Sequence, residues 1–362
     1  MLQTEQNPAA PGRRRRIAVW PIAAIMVVIL VVSPILLGPW RDRRPAQIDG
    51  PPAQVTQVTQ AFPSGPAVSA PASAEPAVAA TTTSAVPAAP RDPTAPFPAA
   101  KGKRWALSFR EEFSGTGYDH SKLSPCFDWN DGDCTASFNS GREAYRPAQV
   151  QVSNGTAKLT AEPARKPISS SACQNGTCTY VAGLLSTARP RADAGQKYLY
   201  TFTYGYVEAR LKFPATQGFF TAFWMLPADP SFDYQTEIDI LEMLGDDPTT
   251  MFMTYSYGGR AKAYNVNTGK HNNGACPVKN YSTDFVRVGM DWEPGRIAWY
   301  IDGKRCAEYV GGSTIESGPM QIILHMMVDN TWQRQWNVGL ADPSLKRRLE
   351  VDYLRVFQQH PA

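Results

Sequence analysis

The stretch YGYVEARLKF, Tyr204 to Phe213, alternates residue by residue: Val207, Ala209, Leu211 and Phe213 on one side, Glu208, Arg210 and Lys212 on the other. A period of two is that of a β-strand with one buried face, because successive side chains point to opposite faces of a sheet. The pattern recurs in FVRVGMDW, where Val286, Val288, Met290 and Trp292 share a face. RIAWYIDGKR follows, and its Asp302-Gly303 pair is of the kind that closes a two-residue hairpin. Asn154-Gly155, between QVQVS and TAKLTA, marks another. From Lys101 onward, many short strands separated by turn residues predict one all-β sandwich or barrel, with no helical period interrupting it.

The N-terminal hundred residues have another character. Residues 1–16 are polar and end in four arginines, and Ile17 to Gly38 then runs 22 residues without a charge. That length spans a bilayer and exceeds a usual signal-peptide core, so residues 17–38 are read as a single transmembrane anchor, with a cleaved signal peptide as the competing reading. The arginines before the span place the N-terminus in the cytoplasm and the rest outside the cell, at the plasma membrane. Residues 39–100 are rich in Pro, Ala, Ser and Thr and read as a disordered linker to a folded domain over 101–362.

The net charge of +4 belongs to the anchor region: residues 1–44 hold seven Lys/Arg against two Asp/Glu, leaving 29 against 30 in the remainder. A neutral outer domain lacks the basic footprint that nucleic acid requires. All six cysteines, Cys126, Cys134, Cys173, Cys178, Cys276 and Cys306, lie beyond the apolar run, and an even count outside the cell predicts disulfides. Proximity favours Cys126 with Cys134 and Cys173 with Cys178, leaving Cys276 with Cys306. Four histidines and no repeated Cys-x-x-Cys argue against zinc.

The chemistry concentrates in TEIDILEMLG, Thr236 to Gly245, where Glu237, Asp239 and Glu242 stand among isoleucine and leucine. Taken alone, the decapeptide reads equally well as an amphipathic helix. Its neighbours, FFTAFWMLP and MFMTYSYGG, favour a strand within a sheet. Glu237 and Asp239 then share a face, while Glu242, five positions after Glu237, falls on the other. A one-residue bulge between Asp239 and Glu242 would bring it round. The two glutamates could then approach to about 5–5.5 Å, the separation of nucleophile and acid/base in retaining glycosidases. Carboxylates that close cannot both ionise cheaply, so one should keep its proton.

TEIDILE resembles the E-I-D-x-x-E signature, in its bulged form, of glycoside hydrolase family 16, as in laminarinase-like endo-glucanases. The resemblance runs over most of 105–358, through FREEFSG, YGYVEARLKFPATQGFFTAFWMLP, WEPGRIAWYIDGK and VDYLRVFQ. It implies a concanavalin A-like jelly-roll with a concave substrate cleft, Glu237 as nucleophile, Glu242 as general acid/base and Asp239 as helper carboxylate. It also implies Trp224 as an aromatic plate beside the cleaved bond, against the plain reading of a core tryptophan. Trp332 would be a second cleft tryptophan, with Trp336 competing for the place, and Tyr257 and Asn139 would be further substrate contacts. Glu112 and Asp352 match positions that hold a structural calcium in relatives, against the plain reading of a solvated strand face. The chain departs from the family pattern at Phe220 to Trp224, at Ser256 where a histidine is frequent, and at His325 in a stretch usually written with asparagine.

These readings predict an anchored extracellular endo-β-glycosidase acting with retention on a polysaccharide such as a β-1,3-glucan, without a cofactor for chemistry. A transglycosylase remodelling the envelope and a glycan-binding lectin on the same fold are the alternatives. A binder has no need of three clustered acids.

Overall fold

The computed structural model describes residues 95–129, 140–191, 195–229, 236–257, 263–265 and 273–362. The segment 1–16, the expected span 17–38 and the linker as far as residue 94 lie outside the described residues. Among those described, no helix is long and apolar enough to cross a membrane.

Among the described residues, sixteen strands form two sheets, as the period-two segments predict. In chain order they are β1 (Lys103–Glu111), β2 (Glu143–Tyr145), β3 (Val150–Ser153), β4 (Thr156–Ser169), β5 (Thr177–Ala182), β6 (Leu184–Ser186), β7 (Gly205–Lys212) and β8 (Phe219–Pro227). They continue with β9 (Glu237–Leu244), β10 (Phe252–Ser256), β11 (Ala263–Asn265), β12 (Val286–Glu293), β13 (Arg296–Ile301), β14 (Lys304–Val310), β15 (Met320–Val328) and β16 (Arg347–Pro361). One sheet runs β14-β13-β12-β7-β16-β4-β5-β2, with β1 on β16 and β3 on β4; the other runs β11-β10-β9-β8-β15-β6.

The sheets pack face to face through their alternate residues. Val207, Ala209 and Leu211 of β7, Val288, Met290 and Trp292 of β12, and Ile297 and Trp299 of β13 all enter the core between the sheets. Asn154 and Gly155, and likewise Asp302 and Gly303, adopt the positive φ that two-residue hairpin turns demand. One element escapes the sequence reading: a single helical turn, α1 (Thr331–Gln335), closed by a reciprocal capping box between Asn330 and Gln333. Five residues are too few to show a helical period; the Asn-x-x-Gln spacing was the available signal.

Residues 95–100, assigned above to the linker, pack against the folded unit. The ring of Phe97 stacks on Tyr300 at 4.8 Å and meets Tyr206 and Trp105 edge-on. Trp105 donates its indole N–H to the Phe97 carbonyl. This small apolar layer covers the outer face of the larger sheet, because Tyr206, Ala298 and Tyr300 alternate with residues that face the core.

Cys173 is bonded to Cys178 and Cys276 to Cys306, as proximity predicted. Cys126 is also oxidised, and Cys134 lies outside the described residues. The expected calcium ligands do not fit a cation. Glu112 holds the Arg355 guanidinium with both oxygens, at 2.8 and 2.9 Å, and Asp352 pairs with Arg210 at 2.9 Å. Among the described residues, no three His, Cys, Asp or Glu side chains gather in a way that could hold a metal. Arginines supply the positive charge at these carboxylates.

Candidate active site

TEIDILEMLG forms strand β9, and its bulge lies where residue parity required it. On the β10 side, Thr254 pairs with Asp239 and Phe252 with Glu242, so one residue of β10 faces two of β9. On the β8 side, Trp224 pairs with Asp239 and Phe223 with Leu241, which leaves Ile240 as the extra residue. The bulge turns Glu242 onto the face of Glu237 and Asp239. Bulged strands re-aim side chains in this way, and here the result is three acids on one surface.

That surface is the floor of a cleft of about 370 Å³. Beside the acids it is lined by Phe220, Ala222 and Trp224 of β8, Thr254 and Ser256 of β10, and His325 and Met327 of β15. Asn330, Trp332 and Trp336 close one end. The spacing of two along β8, β10 and β15 is strand alternation read from the concave side. No lysine or arginine is among these lining residues.

The electrostatics divide the acids. Burial, and then the charge of Glu237, lifts Glu242 to about 8. Burial and both glutamates push Asp239 well above the usual carboxylate range. Glu237 is also raised by burial, but the hydrogen bond from Asp239 stabilises its ionised form and works against that rise. At neutral pH the arrangement favours protons on Glu242 and Asp239 and a carboxylate on Glu237.

The aromatic expectations meet a mixed outcome. Trp224 lines the cleft while only 3% exposed, so it is both floor and core. Trp332 and Trp336 both line the cleft, with ring centroids 5.8 Å apart, and each packs on Phe252. Tyr257 does not line it: it stacks on Tyr255 and Tyr309. Alternation explains the miss, since Thr254 and Ser256 take the cleft face of β10 and the tyrosines take the other. Asn139 lies outside the described residues. Phe220, Ala222, Ser256 and His325, named above only as departures from the family pattern, line the cleft, and Thr254, Met327 and Asn330 were not singled out in the sequence. Parity within FFTAFWMLP and MFMTYS was the signal for four of them.

Residues 145–353 match the family model of glycosyl hydrolases family 16. The chain belongs to this family. Among curated relatives, it is 30% identical over 254 residues to an endo-1,3-1,4-beta-glycanase of Rhizobium meliloti, an alignment covering 70% of this chain and 46% of that protein. A beta-glucanase of Rhodothermus marinus is 28% identical, over 44% of this chain and 58% of its own length. The chain thus spans about half the length of these curated relatives. Among solved structures, the endo-beta-1,3-glucanase of Pyrococcus furiosus aligns with a TM-score of 0.55 and 26% identity, over 72% of this chain and 97% of that one.

Proposed function

We propose that this protein is a retaining endo-β-glucanase acting on an uncharged β-1,3- or mixed β-1,3-1,4-glucan. The observation that carries the reading is the set of three carboxylates turned onto one cleft floor by the Ile240 bulge. Substrate class comes from two supports. A cleft lined by acids and aromatic rings, without a lysine or arginine among its described lining residues, suits a neutral sugar chain and repels a sulfated or uronic one. The relatives named above are an endo-1,3-1,4-beta-glycanase, a beta-glucanase and an endo-beta-1,3-glucanase.

The chemistry follows from the proton distribution. Glu242 gives its proton to the glycosidic oxygen as the bond to the anomeric carbon breaks, and the Glu237 carboxylate attacks that carbon, forming a glycosyl ester. Glu242, now ionised, takes a proton from water as the water oxygen attacks the anomeric carbon and the bond from that carbon to the Glu237 carboxylate breaks. The sugar leaves with retained configuration and both glutamates return to their starting states. Asp239, donating to Glu237, steadies the nucleophile before attack and the departing carboxylate afterwards.

The apolar run at 17–38 and the oxidised cysteines support an anchored protein whose catalytic domain lies outside the cell. The test is release of reducing ends by the full chain from laminarin, lichenan and, as an anionic control, carrageenan. Wild-type release from the two glucans, lost in Glu237→Gln and Glu242→Gln, is expected. Glucan binding without release by a folded wild type would favour the lectin.

A further inference from the structure

His325 is a charge-neutral hydrogen-bonding side chain in the cleft that the double displacement does not use. It is 1% exposed, yet it lines the cleft floor. Its ring lies 5.7 Å from that of Trp224 and 6.4 Å from that of Phe220, centroid to centroid. Its Nδ1 is 2.8 Å from the Tyr145 hydroxyl. Among the described residues, that is its single hydrogen bond, so Nε2 is left to the cleft.

The tautomer follows from proton counting around Tyr145. The Tyr145 hydroxyl also donates to the Met326 carbonyl at 3.1 Å, which can only accept, and to Glu143 Oε1 at 3.4 Å. Glu143 is fully buried and already accepts from the Val328 N–H at 2.9 Å. If Tyr145 gave its one proton to His325, its oxygen would face two acceptors with nothing between. With the proton directed at Met326 and Glu143, the imidazole donates from Nδ1, and every contact is satisfied. Nε2 then carries a bare lone pair. Burial pushes the imidazole down to about 3, so the lone pair is free across the working pH range.

The position of that lone pair is fixed by register. Glu242, Ala222 and His325 are paired in one row across β9, β8 and β15. Two strand spacings, about 9–10 Å, separate the Glu242 and His325 backbones. Ala222, the smallest side chain in the row, leaves that interval open to a sugar ring beside Trp224.

We infer that His325 is a specificity-determining residue: its Nε2 accepts a hydrogen bond from a free hydroxyl of the sugar unit lying over Ala222, next to the cleaved bond. This rests on the glucanase reading and goes beyond it by naming what the neighbouring subsite demands, a hydroxyl donor. A unit whose hydroxyl is O-methylated or sulfated there offers no proton and is refused.

The test uses the full chain carrying Glu237→Gln for binding of laminarihexaose by calorimetry, and the active chain for KM and kcat on laminarin and lichenan. His325→Asn keeps an amide near the Tyr145 hydroxyl but cannot reach the Nε2 position; His325→Gln reaches it with a carbonyl oxygen. The expected result is about tenfold weaker binding and an equally raised KM for His325→Asn, with kcat changed by less than about threefold, and recovery of most of the loss in His325→Gln. Wild-type cleavage combined with unchanged binding in both variants overturns the inference and leaves the glucanase standing. Equal losses in Asn and Gln variants also overturn it, since they would report packing alone. A wild type that neither binds nor cleaves either glucan overturns both.

Discussion

The indole Nε1 of Trp299, on the larger sheet, donates to the backbone carbonyl of Asp239 at 2.9 Å, on the smaller one. The bond crosses the core and lands beside the Ile240 bulge, where the strand ladder is locally disrupted. Trp299 is fully buried, so the bond is shielded from water. Trp299→Phe should cost about 2–4 kcal/mol, combining a cavity with an unsatisfied carbonyl. It should also lower kcat more than it raises KM, because the acids lose their fixed spacing; denaturant unfolding and steady-state kinetics check the two parts.

The acid pair sets the pH profile. In the roles proposed above, activity needs Glu237 ionised and Glu242 protonated, so the profile should be a bell. Its alkaline limb should fall near 8, the value to which burial and Glu237 lift Glu242, and its acid limb above the ordinary glutamate range. The two limbs describe the coupled pair together. A kcat/KM profile still flat from pH 7 to 10 would contradict the assignment.

The raised Glu242 value also carries a stability consequence. A carboxyl whose folded value exceeds its unfolded one contributes stability that is full below the unfolded value and lost as pH rises through the folded value. For Glu242 that window runs from about 4.5 to about 8. Glu242→Gln removes the penalty of the buried charge. The variant should therefore melt above the wild type at pH 9, by several degrees for a gain on the order of 2 kcal/mol, and close to it at pH 4. Calorimetry at the two values tests this.

Phe97 should behave as part of the fold. Phe97→Ala strips the stacked cover from Tyr300 and should cost about 1–2 kcal/mol while leaving kcat and KM unchanged. Comparison of urea midpoints against activity separates the two effects.

Chelation should leave the melting temperature unchanged, because Glu112 and Asp352 are held by Arg355 and Arg210. A drop with EGTA, restored by calcium, would return these carboxylates to a metal.

Legibility in the sequence followed the range of the interactions involved. Alternation in YGYVEARLKF and FVRVGMDW is local and yields the strands and their inward faces. The bulge was legible because parity makes Glu242 incompatible with a regular strand on the face of Glu237. Tyr257 was misplaced because parity on β10 is anchored only once Thr254 is known to pair with Asp239. His325 stood out as a departure from the family pattern, but its partner Tyr145 lies 180 residues earlier on another strand. The ion pairs of Glu112 and Asp352 were hidden for the same reason, since Arg355 and Arg210 reach them across the sheet.

The docking of Phe97 fixes where the chain enters the folded unit: against the outer face of the larger sheet, whereas the cleft opens on the smaller one. The Phe97 cover and the floor of the cleft are thus carried by different sheets. A polymer lying along the cleft meets β8, β9, β10 and β15 without touching the layer that Phe97 builds, so either face can be changed without disturbing the other.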